Sequence, residues 1–327
     1  MLEQSFDAAF INMPVYIAHG LERGHRLCIT AGIHGDEING SVIAQRAFKK
    51  IDPGILRGTV IMLPMINSAG IRNSERYMPD RRDLNRNFPG NYDGSIAAIV
   101  ARATFDVITK HCDSLIDLHT ASFLRSNAPQ IRVTRNNQQA LTLARNFGSG
   151  IIIFGEGPKG SLRREATDAG VPAIIYEAAG PHILDVKAAD IGVHGIMNVM
   201  RHLEMLPGDS PEIPDHKVYQ HTAWERVPLR SGGFFFPDVE LGSRVKVGQQ
   251  LGHLVSPLDS KTTVIYATHS GIVIGMAKPQ VVLSGYALFH LGFDSRDNQL
   301  RKDKLTEKEL REKALQEKES VNELSDG

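Results

Sequence analysis

Short apolar runs that alternate with stretches of helical periodicity constrain this chain more than any other feature. Arg26-Leu27-Cys28-Ile29-Thr30, Gly58 to Pro64, Ser114 to His119, Ile151 to Phe154 and Val171 to Glu177 are bounded by turn residues and read as buried strands. Between them, Ile38 to Lys50, Ile96 to Lys110, Ala140 to Phe147, Leu162 to Ala169 and Ala188 to Met205 read as helices, the first ending in paired lysines that suit a helix C-terminus. Strands that alternate with helices bury their apolar faces best as an α/β sandwich around a parallel or mixed sheet. Pro14 to Gly20 and His25 to Thr30 read as a hairpin through Leu21-Glu22-Arg23-Gly24, with His19 and His25 at the surface beside the turn.

After the Pro-rich, acidic stretch Pro207 to Pro214, a linker, the character changes to β-prone runs and glycine turns. Gly242 to Leu251 carries a Gly-x-x-Val-x-x-Gly-Gln-x-Leu pattern that resembles lipoyl and biotinyl half-barrels, without the lysine hairpin that would accept such a cofactor. The expected organisation is a catalytic domain over 1–214, a C-terminal all-β domain over 215–295, and a charged helical or disordered tail over 296–327. Thr306 to Glu309 in that tail fits a capping box. Lys plus Arg equals Asp plus Glu at 37, so no global field favours nucleic acid or an anionic membrane. No apolar run reaches membrane-spanning length, and the N-terminus lacks the basic and apolar regions of a secretory signal. Cys28 and Cys112 lie in or beside apolar runs and read as reduced core residues, which places the protein in the cytoplasm.

The chemistry concentrates after the first buried strand, in Ala31-Gly32-Ile33-His34-Gly35-Asp36-Glu37. Gly35 lets the chain bend between His34 and Glu37, whose imidazole and carboxylate can close on one divalent cation such as zinc. His119 ends another strand and would complete the three-ligand set of a catalytic zinc; the alternative is a satisfied histidine near the core. Asp117, on the same strand face, either contacts the site or solvates the strand end. Glu177 follows four apolar residues; it is either a strand-end charge facing solvent or a group held at the sheet rim, where beside an activated water it would serve as general base and then acid. The long polar segment Asn67 to Gly90 has the length of a functional loop. Within it Asn85 and Arg86 suit a substrate carboxylate, Arg76 suits a developing oxyanion, and Asp83 can orient a ligand histidine.

In their order along the chain, His34-Gly35-Asp36-Glu37, Arg76-Tyr77, Asp83-Leu84-Asn85-Arg86, Asp117-Leu118-His119 and Glu177 resemble the succinylglutamate desuccinylase/aspartoacylase family, related to the zinc carboxypeptidases. The resemblance spans roughly 14–205 and extends to the β domain. It implies a carboxypeptidase-like α/β/α sandwich with a mixed sheet, plus a C-terminal half-barrel. It also implies one zinc per chain on His34, Glu37 and His119, with Asp83 orienting His34. Glu177 would be the base and acid, Arg76 would meet the scissile carbonyl, and Asn85 and Arg86 would hold the substrate carboxylate. A further arginine that reads the acylated substrate maps nearest to Arg163-Arg164, of which Arg164 is the candidate; Arg125 is the other arginine that could line the pocket. The expected partner is a small N-acyl amino acid such as an N-succinyl or N-acetyl amino acid, with no nucleic acid or membrane; a homo-oligomer stays open. Two rival readings are a zinc carboxypeptidase acting on short peptides and a non-catalytic metal-binding scaffold.

Overall fold

All six residues from Ser114 to His119 are buried, which a strand achieves only when helices cover both faces of its sheet. The computed structural model describes residues 3–4, 10–208 and 216–294, in two units, Met1–Tyr219 and Gln220–Gly327. In chain order the first unit holds β1 (Glu3–Gln4) and β2 (Phe10–Ile11), which pair with each other, then β3 (Tyr16–His19), β4 (Glu22–Ala31), α1 (Ile38–Phe48), β5 (Arg57–Leu63) and α2 (Ser68–Asn73). There follow α3 (Ile96–His111), β6 (Ser114–His119), β7 (Arg125–Val133), α4 (Gln138–Phe147), β8 (Ile151–Phe154), α5 (Leu162–Asp168), β9 (Ala173–Ala179), α6 (Val186–His202) and β10 (Lys217–Tyr219).

The large sheet of this unit runs β10-β8-β7-β9-β6-β4-β5-β3. It is parallel except where β7 meets β9 and β5 meets β3. Side chains alternate across it with period two. Leu27, Ile29, Ile116, Leu118, Ile174 and Tyr176 join the core under α1, α4 and α6. Cys28, Leu115 and Ala173 join the opposite core, under α3 and α5. Helices α3, α4 and α6 start on side-chain caps: Ser95, Asn137 and Asp185 accept hydrogen bonds from the backbones of Ala98, Ala140 and Ala188, each such cap being worth about 0.5–2 kcal/mol.

Several expectations are corrected here. The strands flanking Leu21–Gly24 do not form a hairpin, because β5 lies between them, parallel to β4 and antiparallel to β3. His25 is half-buried against the Ser114 hydroxyl, whereas His19 is exposed. Cys28 and Cys112 are joined as a disulfide with their Cα atoms 5.7 Å apart, rather than standing as separate thiols. Parallel pairing sets Leu27 opposite Ser114, so Cys28 on the α3 face meets the residue that caps α3. The polar segment 67–90 also carries more order than expected, in α2 and a 3-10 turn at Leu84–Arg86.

The first unit continues past the boundary expected at 214, because β10 pairs with β8. The second is strand-rich: β11 (His221–Arg226), β12 (Gly233–Pro237), β13 (Arg244–Val245), β14 (Gln250–Val255), β15 (Thr262–Tyr266), β16 (Gly271–Ala277), β17 (Gln280–Val282) and β18 (Ala287–Phe293). They form two antiparallel layers, β11-β18-β16-β13 and β15-β14-β12-β17, around Phe235, Leu251, Leu254, Val273, Leu288 and Phe289. The expected charged tail, with its capping box, lies outside the described residues. Among the described residues no helix is long and apolar enough to cross a membrane.

Candidate active site

β4, β6 and β9 are adjacent and parallel, so their carboxyl ends open on one rim, where ligands gather in α/β sheets. The loop leaving β4 brings His34 and Glu37 to that rim. Its bend falls on Gly32, at φ 64°; Gly35 has another task. A Cβ on Gly35 would stand 2.1 Å from the carbonyl carbon of Gly70 and 2.3 Å from the nitrogen of Ile71, so only glycine lets the loop touch α2 this closely.

His34, Glu37 and His119 are all buried and each offers a ligand atom within 4.8 Å of the others. Glu37 sits between the imidazoles, with Oε1 2.8 Å from Nδ1 of His34 and Oε2 2.9 Å from Nδ1 of His119. Thr120 donates its backbone N–H to Oε2 at 3.0 Å. Behind each ring stands an aspartate. Asp83 Oδ1 is 3.0 Å from Nε2 of His34, and Asp117 Oδ2 is 2.8 Å from Nε2 of His119. Asp117 is itself fixed by the Thr30 hydroxyl at 2.7 Å. These aspartates can hold a proton on Nε2 of each ring, which would leave both Nδ1 atoms to a metal ion bound beside Glu37. His34 Nδ1 is buried and makes no hydrogen bond, its nearness to Glu37 notwithstanding. Two imidazoles, a carboxylate and an orphaned ring nitrogen are a donor set that fits a zinc ion. Burial works against charge on Glu37, but the flanking His34 and His119 outweigh it and hold the carboxyl well below the usual range. Burial likewise opposes charge on Asp83, yet its bond to His34 prevails and brings it down to about 2.

Arg76 donates Nη1 to Glu37 Oε1 at 2.6 Å, and its guanidinium lies over the Phe123 ring at 5.8 Å. Asn85 is buried; its Oδ1 accepts the backbone N–H of Leu162 at 2.8 Å, tying the 3-10 turn to the start of α5. Arg86 is exposed and donates to the Asn85 carbonyl. Glu177 pairs with His119 across β9 and β6, and it precedes two more strand residues rather than ending its strand. Its Oε2 accepts from Nδ2 of Asn127 at 2.7 Å, and its Oε1 lies 3.5 Å from Nε of Arg132.

Arg164 is not brought to this cluster: its guanidinium meets the Gly157 carbonyl and Asp168, within α5 and the loop before it. Arg125 opens β7. The neighbour Arg163 is the buried one, bonded to Thr134 Oγ1 and the Gly155 carbonyl at 2.7 Å each. Burial, then the charge of Arg132, lowers its guanidinium to about 10. Asn127 and Arg132, which no motif marks, lie on β7, where the strand's only pattern in the sequence is the alternation Gln130-Ile131-Arg132-Val133-Thr134.

Residues 23–203, more than half of the chain, match the family described as the succinylglutamate desuccinylase/aspartoacylase catalytic domain. An N-alpha-acetyl-L-2,4-diaminobutyric acid deacetylase of Halomonas elongata is 27% identical over 257 residues, covering 71% of this chain and 70% of that protein. The crystal structure of a succinylglutamate desuccinylase/aspartoacylase from Rhodobacter sphaeroides superposes with a TM-score of 0.79 at 25% identity, covering 87% of this chain and 89% of the other. The product-bound ectoine utilization protein EutE (DoeB) of Ruegeria pomeroyi shares the fold, with a TM-score of 0.80 at 21% identity over 90% of this chain and 93% of that one. With its α/β catalytic unit and its strand-rich C-terminal unit, this chain belongs to the succinylglutamate desuccinylase/aspartoacylase family of deacylases.

Proposed function

We propose that this protein is a zinc-dependent amidohydrolase that converts an N-acyl amino acid and water to a carboxylate and a free amino acid. The observation that carries this reading is the pairing of His119 with Glu177 on adjacent strands. It sets a carboxylate next to the three-ligand cluster and on the same side of the sheet. Zinc on His34, Glu37 and His119 would polarise the scissile carbonyl and bring the pKa of water to about 7.

The chain's own groups do the rest. Glu177 takes a proton from the attacking water as it adds to the amide carbon, and returns that proton to the nitrogen as the C–N bond breaks. Arg76 donates to the carbonyl oxygen while negative charge builds there, exchanging its bond with Glu37 for one with substrate. Asn85 keeps its Oδ1 on Leu162, so it meets the substrate carboxylate through Nδ2, beside the exposed fork of Arg86. The deacetylase relative and the anion-gripping Asn85-Arg86 pair together favour N-acyl amino acids as the substrate class.

The test is hydrolysis of N-acetyl-L-2,4-diaminobutyric acid and a panel of N-acetyl and N-succinyl amino acids by the purified protein, with metal analysis. About one zinc per chain is expected, and its removal by chelator should abolish turnover. Glu177→Gln should keep the metal and slow turnover by about 10²–10⁴-fold. An unchanged rate in that variant would remove Glu177 from the reaction.

A further inference from the structure

A glutamate that must receive and return one proton needs its carboxylate held within about 2.6–3.2 Å of the reacting atoms, and its rotatable bonds resist that. The side chain of Glu177 is held by the neighbouring strand. Asn127 is buried and gives Nδ2 to Oε2 at 2.7 Å; Arg132 brings Nε to 3.5 Å from Oε1.

The register of β7 explains how Asn127 arrives there. Gln130 pairs with Glu177 and Arg132 with Ile175, so both share the sheet face of Glu177. A regular antiparallel strand would then pair Ala128 with Ala179 and turn Asn127 to the opposite face. Instead Asn127 pairs with Ala179, through a register shift between Asn127 and Gln130. That shift spans Pro129, a residue that cannot donate to a ladder and is tolerated at bulges. The extra residue rotates Asn127 to the side where Glu177 lies. Arg163, held by Thr134 and Gly155, sets a second positive charge near Arg132, so the Glu177 carboxylate is the favourable neighbour for the Arg132 guanidinium.

We propose that Asn127 and Arg132, delivered by the bulge at Ala128-Pro129, are positioning residues that fix the Glu177 carboxylate toward the ligand cluster. The inference rests on the reading of Glu177 as the proton carrier. Neither residue touches the reacting atoms; both act through Glu177. An amide suits the post because it donates to the carboxylate without competing for the proton.

The experiment is a double-mutant cycle on the zinc-loaded protein, assayed with the best substrate of the N-acyl amino acid panel. Asn127→Ala and Arg132→Gln should each lower kcat by about 10–100-fold with KM nearly unchanged. In a Glu177→Gln background neither should cost anything more, because residues acting through one group are non-additive. Arg132→Lys, which keeps the charge, should recover part of the loss. A structural role alone would give the same proportional loss in both backgrounds, and that result, or an unchanged kcat in both single variants, overturns the proposal. If no substrate is hydrolysed, or Glu177→Gln matches wild type, the functional reading fails separately. Crystal structures of Asn127→Ala and the isosteric Asn127→Asp then decide positioning directly. Displacement of the Glu177 carboxyl supports it, and an unmoved carboxyl in both overturns it.

Discussion

Replacing Gly35 by alanine tests whether the fold, and not only its ligands, builds the proposed metal site. The added methyl would meet three backbone atoms, Gly70 C at 2.1 Å, Ile71 N at 2.3 Å and Glu75 O at 2.5 Å. Ordinary contact begins near 3.4 Å, so the loop and α2 must part by roughly 1 Å or more, and no side-chain rotation can relieve it. Movement of the loop carries His34 and Glu37 away from His119, which β6 holds in place. Metal–ligand distances tolerate only about 0.2 Å, so the expected loss of zinc affinity is at least about 100-fold. Overpacking should also cost the metal-free protein about 1–3 kcal/mol. Competition titration against a chelator measures the first and urea unfolding the second. Gly150→Ala is the control: its φ is 80° but nothing lies within 4 Å of the new methyl, so it should lose stability through backbone strain while binding zinc normally. Wild-type zinc affinity in Gly35→Ala would refute the claim that close backbone approach sets the ligand geometry.

Asp117→Asn keeps the shape behind His119 but removes the charge 2.8 Å from Nε2, and zinc affinity should fall by about 10–100-fold in the same titration. Arg26 and Asp113 form a surface ion pair whose hydrogen bond holds the Asp113 carboxyl below its ordinary value. The pair's contribution is therefore present above pH about 3.9, the unfolded value, and is lost as pH falls further. With both side chains substantially exposed the contribution is about 0.2–1 kcal/mol, so Arg26→Ala should destabilise by that amount at pH 7 and by progressively less as pH falls below about 3.9 in denaturant titrations.

The residues of the cluster were legible because each ends or follows an apolar run: His34 and Glu37 after β4, His119 closing β6, Glu177 late in β9. A charged group after buried strand residues is a local signal. β7 offers no such signal. Arg125-Ser126-Asn127-Ala128-Pro129-Gln130 is polar and contains a proline, and it is held in the strand by β9, which pairs with Asn127 and Gln130, while β8 pairs only with the following Ile131–Val133. Its contribution to the site was hidden with it. The hairpin expected around Leu21–Gly24 failed for the converse reason. Local turn chemistry favoured pairing sequence neighbours, while the crossover through α1 placed β5 between them. Cys28 and Cys112 stand 84 residues apart, and only the β4–β6 register brings them together.

One pattern specifies both the core and the site. Leu115, Asp117 and His119 alternate with Ile116 and Leu118; Ala173 and Glu177 alternate with Ile174 and Tyr176. The apolar partners fill the layer under α1, α4 and α6, so the polar members must face α3 and α5. A one-residue slip of β6 would drive Asp117 and His119 into that apolar layer and expose Ile116 and Leu118 to the rim, at several kcal/mol for each buried polar group left unpaired. The cost of burying the wrong face therefore locks the register that brings His119 beside Glu177. On β7 the rule is broken at one point, and the bulge at Ala128-Pro129 turns Asn127 toward Glu177 while Ile131 and Val133 stay in the core.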